Sequence, residues 1–431
     1  MNTFGGKRFL VYGAGVSGKA AAKAIKRRGG KVVMRADGGG RFVEPPQKHY
    51  DTAVISPGIK PSHPVYEYCA ARGIETVSEL ALGYSIFDGE SVAVTGTNGK
   101  TTTVRLISAM TGGVACGNIG FPFTAAVDAA AKKTSRPNAS DDGEQKKLLI
   151  AEASSFQLYR GGVSPKVAVI TNIGIDHIDW HGSAEAYRAS KCRIADSEKC
   201  EYLVLGEDVP VRALETLKTS ARILYTSTSR VVDGAYISNG YFMFCGEKIC
   251  AVDYFRLRGA HNIKNALCAI AAAKCVGAGN GKILSALATA EPEPHRLTDI
   301  GIYAGKRWID DSKGTNVEAC LAAVDSTVGT VCLIVGGRDK ALDFDALFSR
   351  LDPRVVDIIA MGESAQTLRD VAAKHCRKAR VVSDLRGAVD AAAGSAAETV
   401  LLSPACASFD EFENYGARGA AFALAVKSLK Q

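Results

Sequence analysis

The stretch Ser91-Val-Ala-Val-Thr-Gly-Thr-Asn-Gly-Lys-Thr-Thr-Thr103 constrains this chain more than any other. Val92, Ala93 and Val94 form an apolar run of strand type, Gly96 and Gly99 permit a tight turn, and a helix is expected from Thr101 to Met110. At such a strand-to-helix turn the free backbone N–H groups and the helix dipole together favour an anion. Only Thr97 and Asn98 separate Gly96 from Gly99, whereas the general phosphate loop has about four residues before its Gly-Lys-Thr, so this loop is a shortened variant. Lys100 is placed to reach outer phosphates, and the Thr101 hydroxyl to meet a Mg²⁺ ion. Gly96, Thr97, Asn98, Gly99 and Thr102 are expected around the same phosphates. The plainer alternative, a glycine turn into an ordinary helix, leaves the lysine and hydroxyl unexplained.

A chain of 431 residues exceeds what one core organises, so two or three domains are expected around this loop. Hydrophobic content of 47%, 44 glycines and Ala-rich segments beside short Val/Ile runs indicate an α/β protein. The start Met1-Asn-Thr-Phe-Gly-Gly-Lys7 has no secretory core and no run approaches spanning length, giving a cytoplasmic protein without a membrane partner as the expectation. Twelve cysteines lie scattered in apolar contexts such as Cys268, Cys275 and Cys332, with no C-x-x-C pair, which favours reduced thiols. The net charge of +8 suits small anionic ligands; interspersed acids and the lack of aromatic interleaving argue against nucleic acid.

The first segment opens with a strand, Arg8 to Tyr12, then Gly13-Ala-Gly15-Val-Ser-Gly18 and a helix to about Arg28. This is a dinucleotide-type fingerprint, with Asp37 loosely available as the acidic partner, yet any pyrophosphate fits such a turn. Strands at Thr52 to Ile59 and Gly73 to Val77 lead to a boundary near Phe87-Asp88-Gly89. Beyond the phosphate loop, the polar stretch Lys132 to Lys147 reads as an exposed loop. Leu148 to Glu152 is a strand ending in a carboxylate, and Val167 to Ile170 a second one followed by Asn172 and Asp176-His177. Strand C-terminal ends are where an α/β sheet places ligands.

From Ser183, an expected N-cap, helical periodicity puts Tyr187, Lys191, Ile194 and Ala195 on one stripe. Lys191 therefore sits on an apolar face. Either it snorkels to water, or it is held in an apolar site where a neutral amine can react with CO₂ to give a carbamate, an anionic oxygen ligand for Mg²⁺. Arg222 to Val252 reads as short strands and turns. Asn262 and Asn265, three apart in an Ala-rich helix, either face one ligand edge or serve as caps. A third segment begins at Glu291-Pro-Glu-Pro-His295-Arg296 and supplies strands near Val331, Val356, Arg380 and Thr399, expected as a second open parallel sheet. Arg296, Lys313 and Lys340 follow strands, a position that favours ligand contact.

Taken in order, Thr95-Gly-Thr-Asn-Gly-Lys-Thr101, Glu152-Ala-Ser-Ser-Phe-Gln-Leu158, Asn172 with Asp176-His-Ile-Asp-Trp-His-Gly182, Arg258-Gly-Ala-His-Asn262, His295-Arg296, Asp311-Ser-Lys-Gly-Thr-Asn316 and Gly336-Gly-Arg-Asp-Lys340 resemble the motif set of the Mur ligases. That family builds the cytoplasmic peptide stem of peptidoglycan, and the resemblance spans nearly the whole chain. The compact length and Leu402-Ser-Pro-Ala-Cys-Ala-Ser-Phe-Asp410, with Phe412 and Tyr415, look most like the member that adds D-glutamate.

The resemblance implies three domains: a Rossmann-like one at 1–89 for a UDP-linked substrate, a central P-loop-type ATPase at 90–290, and a Rossmann-like one at 291–431 for the amino acid. It replaces the NAD reading of the first glycine motif with a uridine nucleotide. Carried over by motif, Val16 and Ser17 lie by the diphosphate and Asn118, in Gly117-Asn-Ile-Gly120, by the muramoyl part. Thr101 and Glu152 hold one Mg²⁺; Glu152, His177 and carbamylated Lys191 hold a second. Asn262, Asn265, Arg296 and Asp311 contact ATP, and Lys313, Thr315, Lys340, Ser408, Phe409 and Tyr415 the amino acid. Two departures stand out. Val33-Met-Arg-Ala-Asp37 does not match the acidic strand end with a following hydroxyl and arginine expected at the uridine, and Tyr415 stands where a phenylalanine is usual.

The implied reaction is ATP-driven amide formation by a cytoplasmic monomer from UDP-N-acetylmuramoyl-L-alanine and D-glutamate. The alanyl carboxylate attacks the γ-phosphorus, and the amine then displaces phosphate from the acyl phosphate. Several negative groups meet in one cleft, so cations (Lys100, Arg296 and two Mg²⁺) dominate catalysis. ATP contacts shared by two domains predict closure on binding. The rivals are other Mur ligases, folylpolyglutamate synthetase, which would not explain the Gly13-Ala-Gly15 segment, and a P-loop switch or transport ATPase, which needs no separate amino-acid domain.

Overall fold

The computed structural model describes residues 3–38, 41–133, 147–257, 259–339 and 342–429. Most of the loop expected at Lys132 to Lys147, and also Arg258 and Lys340, lie outside these residues. Two compact units are present: Met1–Ile175 with Trp180–Ala290, and Asp176–Asp179 with Glu291–Gln431.

The first unit holds two sheets. The smaller is four-stranded, order β2-β1-β3-β4, and all parallel: β1 (Arg8–Tyr12), β2 (Lys31–Arg35), β3 (Thr52–Ile55) and β4 (Glu75–Val77). The larger is nine-stranded, order β13-β12-β11-β10-β9-β8-β5-β7-β6. Its strands are β5 (Glu90–Thr95), β6 (Val114–Gly117), β7 (Leu148–Glu152), β8 (Val167–Asn172), β9 (Tyr202–Asp208), β10 (Arg222–Ser227), β11 (Gly234–Ser238), β12 (Tyr241–Phe244) and β13 (Glu247–Ala251). Pairing is parallel from β6 through β11, and antiparallel for β11 with β12 and β12 with β13.

Period-two alternation explains why β5 is central. Val92 and Val94 face a cluster with Val104, Ile107, Leu267 and Ile270, while Ala93 faces the opposite one with Tyr187 and Ile194. Both faces are therefore covered, and the strand offers chemistry only at its end. Register places Thr95 beside Ile170, Val94 beside Glu152, and Glu152 beside Gly117, so the informative residues of β5, β7 and β6 finish at one level.

The second unit has a six-stranded sheet, order β14-β15-β19-β16-β17-β18. The strands are β14 (Thr298–Tyr303), β15 (Lys306–Asp310), β16 (Val331–Gly336), β17 (Val355–Met361), β18 (Ala379–Val381) and β19 (Thr399–Leu402). One expectation is corrected here: the sheet is not wholly parallel, because β14 pairs antiparallel with β15. The cause is the two-residue turn Ala304-Gly305, both at positive φ (48° and 71°), which suits a hairpin. Among the described residues no helix is long and apolar enough to cross a membrane.

Candidate active site

The phosphate loop leaves β5 at Thr95 and enters the helix Lys100–Thr111. Gly99 occupies its N-cap in the left-handed region, φ 80°, where a side chain would be strained and would also collide with the Asn265 carboxamide. The loop is held from outside. The Asn98 amide donates to Asn172 Oδ1 at 2.9 Å, Asn172 Nδ2 donates to the Asn98 carbonyl at 3.0 Å, and the Thr171 hydroxyl donates to that carbonyl at 2.7 Å. Thr97 Oγ1 accepts from the Gly174 amide at 2.9 Å and meets the Tyr187 hydroxyl at 3.0 Å. Asn172, quoted in the sequence only as part of a motif, is thus the side chain that fixes the turn.

Glu152, at the end of β7, is buried and bridges two places. Its Oε2 accepts from the Thr101 hydroxyl at 2.7 Å, and its Oε1 from Asn118 Nδ2 at 3.0 Å. A hydroxyl and a carboxylate on one spot are hard oxygen donors of the kind Mg²⁺ takes. Among the described residues no group of three or more His, Cys, Asp or Glu is arranged to hold a metal ion. A Mg²⁺ held with water and phosphate oxygens needs no such cage.

Lys191 does not snorkel. It is only 2% exposed, on the helix Ala184–Cys192, and its Nζ donates to the Gly96 carbonyl at 2.7 Å while lying 4.6 Å from the Tyr187 ring centroid. Tyr187, Ile194 and Ala195 are buried with it, as the stripe requires. Ser183 caps that helix, accepting from the Ala186 amide at 3.1 Å. Lys100 Nζ donates to the same Gly96 carbonyl at 3.0 Å, so two ammonium groups converge on one oxygen. Asn265 is buried against Gly99, and its Nδ2 lies 3.5 Å from Asn262 Oδ1. The helix Ala260–Cys275 has Gly259 at its N-cap, so neither asparagine stands at the cap position.

In the smaller sheet, Val16 and Ser17 form the first turn of the helix Val16–Arg27, whose N-cap Gly15 offers no side-chain acceptor. The carboxylate of Asp37 turns to its own neighbours. It accepts from the Tyr12 hydroxyl at 2.7 Å and lies 3.2 Å from His63 Nε2. The Val65 amide donates to His63 Nδ1, which leaves the imidazole proton on Nε2, facing Asp37. Burial, and then Asp37, push the Tyr12 hydroxyl up to about 12, so it stays a donor.

In the second unit, Asp311 is buried and accepts from the Ser403 hydroxyl at 2.7 Å. Burial pushes its carboxyl up to about 7, against the pull of Ser403 and then Arg296. Lys313 lies 3.5 Å from Glu293 Oε2 and 5.5 Å from the Tyr415 ring centroid, and its amide donates to the His295 carbonyl at 3.0 Å. The Thr315 amide donates to the Lys313 carbonyl at 2.9 Å. Ser408 is buried and Phe409 exposed. His177 belongs to the segment grouped with this unit; it has a positive φ of 53°, an uncommon conformation, and its amide donates to Asp176 Oδ1 at 2.9 Å.

Arg418 escaped the sequence reading. Arg418, 1% exposed, donates through Nε to the Ser312 hydroxyl at 3.0 Å and through Nη2 to the carbonyls of Ser312 and Cys406 at 2.9 and 3.2 Å. The Ser312 hydroxyl in turn donates to the Tyr415 carbonyl at 2.8 Å. Arg418 thereby fastens the Asp311–Thr315 turn, the Ala405–Ser408 turn and the helix Tyr415–Lys427 together, and burial pulls its guanidinium down to about 10. The available signal was its place with Gly419, Phe422 and Val426 on the apolar side of that helix.

The Mur ligase middle domain matches residues 94–273, and the Mur ligase glutamate ligase domain residues 295–406. The UDP-N-acetylmuramoylalanine–D-glutamate ligase of Latilactobacillus sakei is 34% identical over 462 residues, covering 100% of this chain and 99% of that protein. The chain belongs to the Mur ligase family. A second Mur ligase, the protein of the same name from Halalkalibacterium halodurans, is 35% identical over 99% of this chain and 98% of its own length. Among solved structures, the UDP-N-acetylmuramate-alanine ligase of Thermotoga maritima has a TM-score of 0.59 at 15% identity and covers 98% of this chain and 99% of its own. Mycobacterium tuberculosis folylpolyglutamate synthase reaches 0.58 at 18% identity, covering 79% of this chain and 92% of its own. These two likenesses concern the fold. The protein is an ATP-dependent ligase of the Mur family with its three-domain α/β fold.

Proposed function

We propose that this ligase joins D-glutamate to UDP-N-acetylmuramoyl-L-alanine in the cytoplasm, working as a monomer with domains at 1–89, 90–290 and 291–431. The name shared by full-length relatives supports the acceptor. The observation that carries the chemistry is Glu152, joined at once to Thr101 of the phosphate loop and to Asn118 of the Gly-Asn-Ile-Gly turn. In this reading the turn receives the muramoyl part and the loop the ATP, so the alanyl carboxylate and the γ-phosphorus meet beside one carboxylate.

Thr101 and Glu152 would hold one Mg²⁺, and Glu152, His177 and carbamylated Lys191 a second. When bound, Mg²⁺ supplies charge neutralisation at phosphate oxygens. Lys100 does the same from the loop and Arg296 from the second unit, while Asn262, Asn265 and Asp311 orient the nucleotide. Val16 and Ser17 meet the diphosphate; Lys313, Thr315, Lys340, Ser408, Phe409 and Tyr415 receive the amino acid. The alanyl carboxylate takes the γ-phosphoryl group, and the unprotonated amine of D-glutamate displaces phosphate from the acyl phosphate.

Carbamylation has physical support in the two lysines on the Gly96 carbonyl. Like charges this close disfavour one another. A neutral Lys191 amine adding to CO₂ forms an N–C bond, loses one proton to water and becomes an anion, and its remaining N–H can still donate to Gly96. The test measures phosphate release from ATP with the UDP-linked substrate and, in turn, L-alanine, D-glutamate or meso-diaminopimelate. Release only with D-glutamate is expected; release without an acceptor points to a plain ATPase. In the same assay Lys191→Ala loses activity by about a hundredfold or more, and labelled bicarbonate gives a carbamate carbon signal only in the parent enzyme. An active Lys191→Ala protein without that signal rejects the carbamate.

A further inference from the structure

The turn carrying Asn118 is followed by the helix Phe123–Lys133, and this helix is held in place by two buried acids from far-off contacts. Pro122 precedes it and has no side-chain oxygen to cap it. The cap comes instead from Glu79, in the helix Glu79–Ile86: Glu79 Oε1 accepts from the Thr124 amide at 2.7 Å and from the Thr124 hydroxyl at 2.6 Å. Glu79 is 2% exposed and its Oε2 is buried without a hydrogen bond. Tyr84, from the same helix, stacks on Phe123 with ring centroids 4.5 Å apart. Further along, Asp128, 8% exposed, receives Arg27 Nη1 at 2.6 Å and Arg28 Nη1 at 2.8 Å. Those arginines end the helix whose first turn holds Val16 and Ser17.

Burying a carboxylate to cap a helix costs more than a local serine or asparagine would, so the long-range cap calls for a purpose beyond helix formation. The two contacts provide one. A continuous path runs from the helix Val16–Arg27 through Arg28 and Asp128 to the helix Phe123–Lys133. At the other end of that helix the turn is closed by the Gly117 amide on the Phe121 carbonyl at 2.7 Å, and the Asn118 amide donates to the Glu152 carbonyl at 2.9 Å. We propose that Glu79 and Asp128 are positioning residues for the UDP-linked substrate, clamping this helix so that Asn118 stands at a fixed reach from the first turn of the helix Val16–Arg27. The helix acts as a ruler: a ligand that spans from diphosphate to muramoyl group is measured by it, and one that occupies a single end is not. The inference rests on the assignment of Val16, Ser17 and Asn118 to that substrate.

Calorimetry with two probes, UDP and UDP-N-acetylmuramoyl-L-alanine, tests the ruler on the full-length protein. Asp128→Asn is expected to bind UDP within about twofold of the parent and the full substrate about tenfold more weakly, since small misplacements are felt only where both ends must fit. In turnover, the KM for the UDP-linked substrate rises while the KM for ATP stays. Equal losses for both probes, or none for either, overturn the ruler. Should Asp128→Asn not fold, Glu79→Ala and Glu79→Gln carry the same comparison. The Gln oxygen still accepts from Thr124, so Gln restores binding of the full substrate and Ala does not; equal affinities for the two variants overturn the proposal. If the parent protein binds neither probe, the substrate assignment itself has failed.

Discussion

At the scale of single residues, burial decides what the charged groups can do. Asp311 is the clearest case, its carboxyl held near 7 by burial where an exposed one titrates near about 4. Between those two values the unfolded chain has released its proton and the folded chain keeps it, so the contribution of Asp311 to stability is complete below the window and is lost as pH rises through it. Thermal melts of the ligand-free protein and of Asp311→Asn therefore differ in slope: from pH 4 to 7 the parent loses a few degrees relative to the variant. Parallel curves would contradict the assignment. The sequence placed Asp311 in a polar turn correctly, but gave no hint of its titration, because that depends on Ser403 and the surrounding core, 92 residues away.

At the scale of elements, local periodicity was legible and distant pairing was not. The unbroken apolar run Val92 to Val94 identifies a strand that the structure buries on both faces, and the stripe Tyr187, Lys191, Ile194 and Ala195 identifies a helix face that it buries. Ser183 was likewise readable as a cap, since capping needs only residues three apart. Ser183→Ala is expected to lower stability by about 1 kcal/mol. It should also loosen Lys191, which sits in the last turn of that short helix, so the loss of activity should exceed what a denaturation curve accounts for; an equal or smaller loss would separate the cap from the site. What escaped were Glu79, Asp128 and Arg418, whose partners lie 45, 100 and 106 residues away in sequence. No spacing rule reaches that far. The antiparallel edge strand β14 was missed because Ala304-Gly305 is a weaker hairpin signal than Asn-Gly.

At the scale of the whole molecule, the proposed ATP contacts are divided: Lys100, Asn262 and Asn265 belong to one compact unit, Arg296 and Asp311 to the other. Under the reading proposed above, a nucleotide that met both sets would make domain closure part of catalysis, and closure would exclude water from the acyl phosphate. Small-angle scattering should record a smaller radius of gyration with a non-hydrolysable ATP analogue and the UDP-linked substrate than without them; an unchanged radius would argue that both sets of contacts form without movement. Family membership was legible in the ordered motifs because catalytic loops need particular residues at fixed spacing. Where one unit stands against the other follows from no such spacing.

The pair of ammonium groups on the Gly96 carbonyl has one more consequence. If one of them becomes a carbamate, a working part of the site is drawn from a dissolved gas and returns to it. The enzyme's readiness then depends on the inorganic carbon in its surroundings, and a sample kept in carefully degassed buffer should start slowly and quicken when bicarbonate is restored. A cell that breathes out CO₂ would keep this ligase armed as a by-product of its own respiration.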